Sequence, residues 1–358
     1  MPESPENMSH AMSRPFLEMT IDEVRQSLRT AGEQPFRADQ LADWVYRKGV
    51  TDADAMSNLP AALTDGLSVL TSRVAGRADS SDGTVKLLIE LHDGEHIECV
   101  IIPTPERATA CVSTQVGCAM KCGFCASGVD GLRRNLTSGE ILEQLLHLRQ
   151  AGGRAITNVV FMGIGEPLAN YDATVAAVRA IIDPQRFGIS ARRVTVSTVG
   201  LPKKIRRLAA EDIPITLAIS LHAPNDALRK QIMPAAAKVP MEEILAAAEE
   251  FYRSRKRELT LEYLLLGGLN DTNLCADGLV RIAKRLRCNV NLISYNPVAT
   301  AAQSPFSRPT QASAKAFLQR LRRKGVNVHL RQSRGLDASA ACGQLRLEST
   351  AGLTGDQS

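Results

Sequence analysis

The chain has 358 residues, of which 44% are hydrophobic and 23% charged, a composition typical of a globular protein with one large domain and a small one. Its first residues, MPESPENMSHAMSRP, are polar and lack the apolar segment of a signal peptide or membrane span, so we expect a cytoplasmic protein. Eight cysteines in such a protein indicate metal binding or catalysis rather than disulfides.

The formal net charge of +5 is mildly basic, but local basic clusters could meet phosphates. Each cluster alone is more typical of a solvated helix face. The clusters are Arg133 with Arg134, Lys203 and Lys204 with Arg206 and Arg207, the segment from Arg253 to Arg257, and the segment from Arg320 to Lys324.

The N-terminal part predicts a small helical domain over residues 15–75, after a disordered segment, 1–14. Apolar spacing in IDEVRQSL and ADQLADWVYRKGV is typical of short amphipathic helices, and Gly49 is a stop signal.

The pattern then changes to strands. KLLIEL and HIECVII flank His92-Asp93-Gly94-Glu95, which predicts a β-hairpin with Asp-Gly at its turn within a linker over residues 76–104.

Residues 105–348 alternate short apolar strands with helical stretches, which predicts consecutive βα units and a parallel sheet. The fold class is therefore α/β, and six or so units predict an open, partial (β/α)6-type barrel whose reactive residues lie at the C-terminal ends of the strands. The last residues, 349–358, are expected to form a flexible tail. The strand candidates are TACVS, ITNVVFMG, RRVTVSTVG, PITLAISLHA, LTLEYLLLGG, VNLISYNP and VNVHLRQS, and the clearest helices are GEILEQLLHLRQ, MEEILAAAEEFYRSR and SAKAFLQRLRRKG.

The most informative stretch is CVSTQVGCAMKCGFCASG, in which Cys118, Cys122 and Cys125 form a C-x3-C-x2-C run. Three thiolates on one tight loop suit an iron–sulfur cluster, and zinc is a weaker alternative because no fourth ligand follows closely. A [4Fe-4S] cluster held by three cysteines leaves one iron open to a small molecule.

Several polar residues follow successive strands. The glycines of Gly163-Ile164-Gly165-Glu166-Pro167 would let backbone approach a ligand, and Glu166 could accept hydrogen bonds from an amine. Taken singly, each of these residues suits a turn or a helix cap. The other strand-end residues are Ser197, Ser220, Leu221, His222 and Asn296.

The chain closely resembles the RlmN/Cfr family of radical S-adenosylmethionine (SAM) RNA adenine methyltransferases, from about Pro35 to Leu345. The motifs that carry the resemblance include FRADQLADWVYRKGV, RATACVSTQVGCAMKCGFC, NVVFMGIGEPL, AISLHAPND and RGLDASAACGQL. The resemblance implies a radical-SAM barrel with one [4Fe-4S] cluster on Cys118, Cys122 and Cys125. It implies SAM contacts by Gly165, Glu166, Ser197, Ser220, Leu221, His222 and Asn296.

The resemblance also assigns the chemistry. Cys342 would carry the methyl group, Cys111 would form a disulfide with it, and Glu98 would accept a proton, with two SAM molecules consumed per turnover. The implied substrates are an adenine of 23S rRNA in the peptidyl transferase centre and, in the RlmN branch, the adenine next to the tRNA anticodon. The implied reaction methylates adenine carbon 2, and family precedent together with charge makes the helical domain over residues 15–75 and the basic clusters the expected RNA contacts. We also expect a monomer and an electron donor such as a flavodoxin-type protein.

Alternatives remain open at this point. Without the resemblance, Cys342 would be interpreted as a buried apolar cysteine and Glu98 as a surface carboxylate. The Cfr branch, which methylates carbon 8, is not separated cleanly by the motifs, although the N-terminal helical domain favours RlmN. A non-catalytic iron–sulfur RNA-binding protein is a rival from another class, and the presence of Cys342 and Cys111 argues against it.

Overall fold

The computed structural model describes residues 14–65, 67–297, 305–340 and 344. Cys342, the predicted tail 349–358 and, apart from Arg14, the predicted disordered N-terminus lie outside these residues.

The N-terminal part is helical, as predicted. A capping box between Thr20 and Glu23 starts the first long helix, and Gly49, with a φ of 77°, ends the longest helical run of this part. Its α-helices are α1 (Ile21–Thr30), α2 (Arg37–Ala42), which continues as a π-helix (Asp43–Lys48), and α3 (Ala61–Thr64).

Two arginines attach this helical part to the rest of the molecule. Arg149 donates to the carbonyl oxygen of Tyr46 at 2.9 Å, next to the C-terminal end of the π-helix. The buried Arg186 donates to the Tyr46 hydroxyl at 3.0 Å and to the carbonyl oxygen of Leu17 at 2.5 Å. The contacts with the carbonyl oxygens of Tyr46 and Leu17 satisfy backbone acceptors that have no donor within their own helical segments.

Three antiparallel strands follow: β1 (Arg73–Asp79), β2 (Val85–Glu90) and β3 (His96–Pro103). β2 and β3 form the predicted hairpin, in which Glu90 pairs with His96 across a turn that includes Gly94, with a φ of 80°. β1 was not predicted, because its sequence, RVAGRAD, mixes charges with small residues. It extends the predicted hairpin to three strands.

Seven further strands build the parallel part of the sheet, and they correspond to the seven predicted strand candidates; β5 (Gln115–Gly117) and β6 (Leu132–Asn135) form a separate hairpin. The strands are β4 (Ala108–Cys111), β7 (Asn158–Phe161), β8 (Val194–Thr198), β9 (Thr216–Ser220), β10 (Leu259–Leu265), β11 (Cys288–Ser294) and β12 (Val328–Arg331). The sheet is open, with the order β1-β2-β3-β4-β7-β8-β9-β10-β11-β12 among the described residues. The partial α/β barrel is thus confirmed.

Helices connect these parallel strands, and the three clearest predicted helices are among them. They are α4 (Ser138–Gly152), α5 (Tyr171–Ile182), α6 (Pro202–Ala210), α7 (Asp226–Ile232), α8 (Met241–Arg255), α9 (Asn273–Arg285) and α10 (Gln311–Arg323). Within the described ranges, none of the helices is long and apolar enough to cross a membrane.

Candidate active site

The three predicted cluster cysteines lie on one loop that is closed at its base by a small hairpin. The hairpin strands are β5 (Gln115–Gly117) and β6 (Leu132–Asn135), and the amide of Cys118 donates to the carbonyl oxygen of Gly131 at 2.8 Å. Gly117 has a φ of 73°, and a Cβ there would lie 1.9 Å from the same carbonyl oxygen. Only glycine fits where the loop closes.

Cys118, Cys122 and Cys125 all line one pocket, called here the cysteine-loop pocket, with about 930 Å³ of space that is partly open to solvent. Burial raises the pKa of Cys118 to about 11, so a thiolate there requires a positive partner such as iron. No three His, Cys, Asp or Glu side chains of the described segments lie close enough to hold one metal ion. The cysteines of an iron–sulfur cluster are arranged differently from a single-ion site, since they bind different irons.

Four of the predicted SAM-contacting side chains also line the cysteine-loop pocket, and so does Gly165. Glu166 and His222 lie in the turns after β7 and β9, whereas Ser197 and Ser220 lie at the C-terminal ends of β8 and β9 themselves. Leu221 instead lies in the hydrophobic core, and Asn296 lines a neighbouring pocket.

The glycines after β7, which line the cysteine-loop pocket, also allow a close approach between two backbone segments. A Cβ on Gly163 would lie 2.7 Å from the hydroxyl of Ser113, and one on Gly165 would lie 2.7 Å from Gln115. The freed space lets the amide of Ile164 donate to the Ser113 hydroxyl at 2.8 Å. The turn is therefore packed against the segment that leads into the cysteine loop.

Glu166 is buried, and burial raises its pKa even though three hydrogen bonds oppose that effect. Its carboxylate accepts from the Thr198 hydroxyl at 2.7 Å and from the amides of Val199 at 2.8 Å and Leu168 at 3.0 Å. The side chain thus fastens the turn after β7 to the turn after β8, and much of its accepting capacity is used within the protein.

His222 has a defined neutral tautomer. Its Nδ1 accepts from the amide of Leu264 at 3.0 Å, so the ring proton lies on Nε2. Burial lowers the pKa of His222 to about 3, and its ring lies edge-on to Phe124 with centroids 5.0 Å apart. His222 is therefore a neutral hydrogen-bond donor in the cysteine-loop pocket.

A second pocket, the Cys111 pocket, adjoins the first through the shared residues Met162 and Ile293. Cys111 and Asn296 line it together with Ala340. Its other lining residues include Arg107, Arg331 and Arg334, and none of the described residues that line it is acidic. These arginines were missed by sequence reasoning because they lie in three separate motifs.

Glu98 is buried rather than on the surface, which corrects the interpretation made without the family resemblance. Only 2% of it is exposed, and the Lys86 ammonium lies 2.9 Å from its Oε1. Because side chains alternate along a strand, Glu98 lies on the same face of β3 as Val100 and Ile102. Val100 and Ile102 pack with Cys111 and Ala340 in one apolar cluster.

Cys342 lies outside the described residues, but both of its flanks are placed. Ala340 is buried against Cys111, and the Gln344 side chain donates to the carbonyl oxygen of Pro297 at 3.1 Å. The preceding Asp337 accepts hydrogen bonds from Ser80 and from the amide of Ser81, which attaches this segment to the β1–β2 turn.

The predicted basic clusters are largely neutralised by ion pairs. Each of the four clusters contains at least one arginine that is paired with a carboxylate. The pairs are Arg133 with Glu95, Arg134 with Asp93 and Glu140, Arg206 with Glu250, Arg207 with Asp172, Arg253 with Glu249, Arg255 with Asp212, and Arg320 with Asp277.

Comparisons with known proteins agree with this geometry. The Radical SAM superfamily model matches residues 112–276, and the model of the ribosomal RNA large subunit methyltransferase N-terminal domain matches residues 15–72. A probable dual-specificity RNA methyltransferase RlmN from Thermosynechococcus vestitus is 44% identical over 90% of this chain and 96% of that protein. A protein of the same description from Rhodopirellula baltica is 44% identical over 92% of this chain and 90% of its own length.

A solved structure shows the same similarity. The crystal structure of a radical SAM methyltransferase from Sphaerobacter thermophilus has a TM-score of 0.89 and 43% identity, and the match covers 93% of this chain and 99% of that one. The chain therefore belongs to the RlmN family of radical SAM RNA methyltransferases.

Proposed function

We propose that this RNA methyltransferase methylates carbon 2 of an adenine in the peptidyl transferase centre of 23S rRNA, and the adenine next to the anticodon in tRNA. The observation that carries the proposal is the contact between the two pockets. Because the pockets adjoin, the residues proposed to contact SAM would lie beside Cys111, and Ala340, two positions before Cys342, packs against Cys111. These substrates would be met in the cytoplasm.

Cys118, Cys122 and Cys125 would hold a [4Fe-4S] cluster, and Gly165, Glu166, Ser197, Ser220, Leu221, His222 and Asn296 would contact SAM. Since Leu221 lies in the core, its contribution would come from its backbone. When bound, the cluster supplies an electron, from a donor such as a flavodoxin-type protein, that cleaves SAM to a carbon radical. The largely apolar lining of the pocket would limit the water around that radical.

Two cysteines would handle the methyl group. Cys342 accepts it as a thioether from a first SAM and presents it to the adenine after activation by a second. After the ring carbon has lost its proton, the thiolate of Cys111 would attack the sulfur of Cys342: a sulfur–sulfur bond forms, the carbon–sulfur bond breaks, and its electron pair stays on the methylene carbon, which takes up a proton to become the methyl group. The unpaired electron left on the adduct would return to the electron-transfer chain that supplied the first electron. Cys342 is two positions after Ala340, and two residues span at most about 7 Å, a length that would allow its thiol to reach Cys111.

Glu98 would accept the proton that leaves the ring carbon. It lies on the face of β3 that packs toward Cys111, and the ammonium of Lys86 stabilises its charged form before the proton is taken up. Burial keeps this carboxylate away from water, so the proton it receives comes from the substrate.

The arginines of the Cys111 pocket would bind the RNA backbone. Arg107, Arg331 and Arg334 surround the proposed reaction centre, and guanidinium groups pair well with phosphates. Because the target carbon is hidden in stacked RNA, the adenine would be extruded into this pocket. A monomer contains every residue named in this proposal.

The test is anaerobic reconstitution of the cluster, followed by incubation with SAM, a reductant and either an unmethylated 23S rRNA fragment or tRNA. Nucleosides are then identified by mass spectrometry. We expect 2-methyladenosine from both RNAs, with loss on Cys342→Ala and retention on Cys275→Ala, a buried cysteine in α9 that serves as the control.

Other products would contradict the proposal in different ways. Formation of 8-methyladenosine would assign the enzyme to the Cfr branch. Cleavage of SAM without methylation of either RNA would show that the substrate is another molecule.

A further inference from the structure

The cysteine-loop pocket contains a buried carboxylate that the family motifs do not assign. Glu262 lies on β10, lines this pocket and is only 3% exposed. Its Oε1 accepts from the side-chain amide of Asn291 at 2.9 Å, while its buried Oε2 has no hydrogen-bond partner among the described residues. Burial raises the pKa of Glu262 and the charge of Arg331 opposes this rise, but neither Arg331 nor any other described residue donates to Oε2. A buried acceptor of this kind is costly unless a donor reaches it, which points to a ligand.

The neighbours of Glu262 form a polar row across the sheet. Glu262 is in register with Ser220 on β9 and with Asn291 on β11. The hydroxyl oxygens of Ser220 and Ser197, on the next strand, are 3.3 Å apart. The row runs across four adjacent strands and both serines line the same pocket, so it would face one side of a bound molecule.

The hydrogen-bond donors of SAM decide which part of that molecule would bind to this row of polar side chains. The donors are an ammonium, two ribose hydroxyls and an adenine amino group. The amino-acid end of SAM would lie near the cysteine loop, where an open iron would bind it. Glu262 lies three strands beyond β7 in the sheet, so its carboxylate would instead meet the nucleoside part of SAM. Serine hydroxyls both donate and accept, as ribose hydroxyls do, and acidic residues bind ribose hydroxyls in dinucleotide-binding folds.

We propose that Glu262 binds the ribose hydroxyls of SAM through its Oε2, with Asn291 orienting the carboxylate and Ser197 and Ser220 completing the ribose site. This inference rests on the SAM chemistry of the proposed function but not on the identity of the RNA. Glu166 is a weaker candidate for the ribose, since its carboxylate already accepts three hydrogen bonds from the protein.

The test is the affinity of cluster-loaded enzyme for SAM, measured by anaerobic calorimetry without reductant or RNA, so that SAM is not cleaved. Asn291 donates to one oxygen of Glu262, so Glu262→Gln would keep its amide oxygen there and turn its NH2 group into the pocket. We expect the variant to bind SAM about 10- to 100-fold more weakly, the loss typical of a hydrogen bond to a charged group. The control is Glu258→Gln, which removes an exposed carboxylate just before β10 and outside the pocket.

A second ligand separates ribose binding from a structural role. The 2′,3′-dideoxy analogue of SAM lacks both hydroxyls and should bind wild-type enzyme and Glu262→Gln with equal affinity. Unchanged SAM affinity in the variant, or the same loss for SAM and the analogue, would overturn the inference. If Glu262→Gln does not hold the cluster, Asn291→Leu is measured in its place, and this variant should bind SAM more weakly but the analogue with unchanged affinity. A wild-type enzyme that does not bind SAM at all would instead refute the proposed function.

Discussion

Lys86→Met tests whether the buried Lys86–Glu98 pair supports both the fold and the proposed proton transfer. Lys86 is 7% exposed and Glu98 2% exposed, with 2.9 Å between the charged atoms, so solvent screens the pair weakly. Removing one partner of a buried pair leaves the other group without its counter-charge, so that it must either stay charged in a poorly solvated site or change its protonation state on folding, and this costs about 3–5 kcal/mol of unfolding free energy. Replacing both partners with apolar residues is often close to neutral.

We therefore expect Lys86→Met to be strongly destabilising and the double variant, Lys86→Met with Glu98→Leu, to regain most of the loss. The assay is urea unfolding of the cluster-loaded protein, followed by circular dichroism. Lys203→Met, at an exposed lysine, is the control and should stay within about 0.5 kcal/mol of wild type.

The same variant has a second expected effect. Without the lysine, the buried carboxylate of Glu98 would take up a proton and could not accept another from the substrate. Methyl transfer by Lys86→Met should therefore fall even under conditions in which the variant is folded. Additive losses in the double variant would refute the reasoning about stability, and a single variant with wild-type activity would refute the role of Lys86 in proton transfer.

The remaining predictions concern pH and salt. Burial lowers the pKa of His147 from 6.5 to about 4, so the unfolded chain binds an extra proton between these values and the folded protein should lose stability as the pH falls through this window. The gap corresponds to roughly 3 kcal/mol, and urea unfolding of His147→Gln should show a correspondingly flatter pH dependence, with an unchanged pH slope counting against this assignment. Arg334→Ala should weaken binding of a 23S rRNA fragment and reduce the slope of log K against log salt by about 0.7–0.9, whereas Arg253→Ala, at an ion-paired surface site, should not. An unchanged slope for Arg334→Ala would show that this arginine does not contact a phosphate.

The strands of the barrel were predictable because their signal is local. The central parallel strands are largely buried, so their sequences are short apolar runs, as in LTLEYLLL, and turn residues mark their ends. β1 and the three-residue strand β5 lack this signal. β1 is largely exposed and held by its pairing with β2, while β5 exists because Gly117 lets the cysteine loop close on β6. Pairing with a distant segment is what the local pattern omits.

The residues of the candidate site were likewise predictable only where the signal is local. Motif residues such as Ser197, Ser220 and His222 were predicted at strand ends, and parallel strands bring their ends together. The burial of Glu98 was not predictable from its own strand, since it depends on a lysine from the neighbouring strand. The arginines of the Cys111 pocket were missed for the same reason, because their proximity depends on the closure of the sheet.

Glu262 shows where sequence reasoning could have gone further. A lone carboxylate inside an apolar strand of a predicted barrel has to be satisfied by a partner or a ligand, since an unpaired buried charge is expensive. That signal is visible in LTLEYLLL. The group that satisfies the carboxylate is not visible in the sequence, because the amide that donates to one of its oxygens belongs to Asn291, on a strand that follows almost 30 residues later. The register of three strands brings Asn291 and Ser220 beside Glu262, and within the part of the chain that the structure describes Oε1 has a hydrogen-bond partner while Oε2 has none, so Oε2 is available to a ligand.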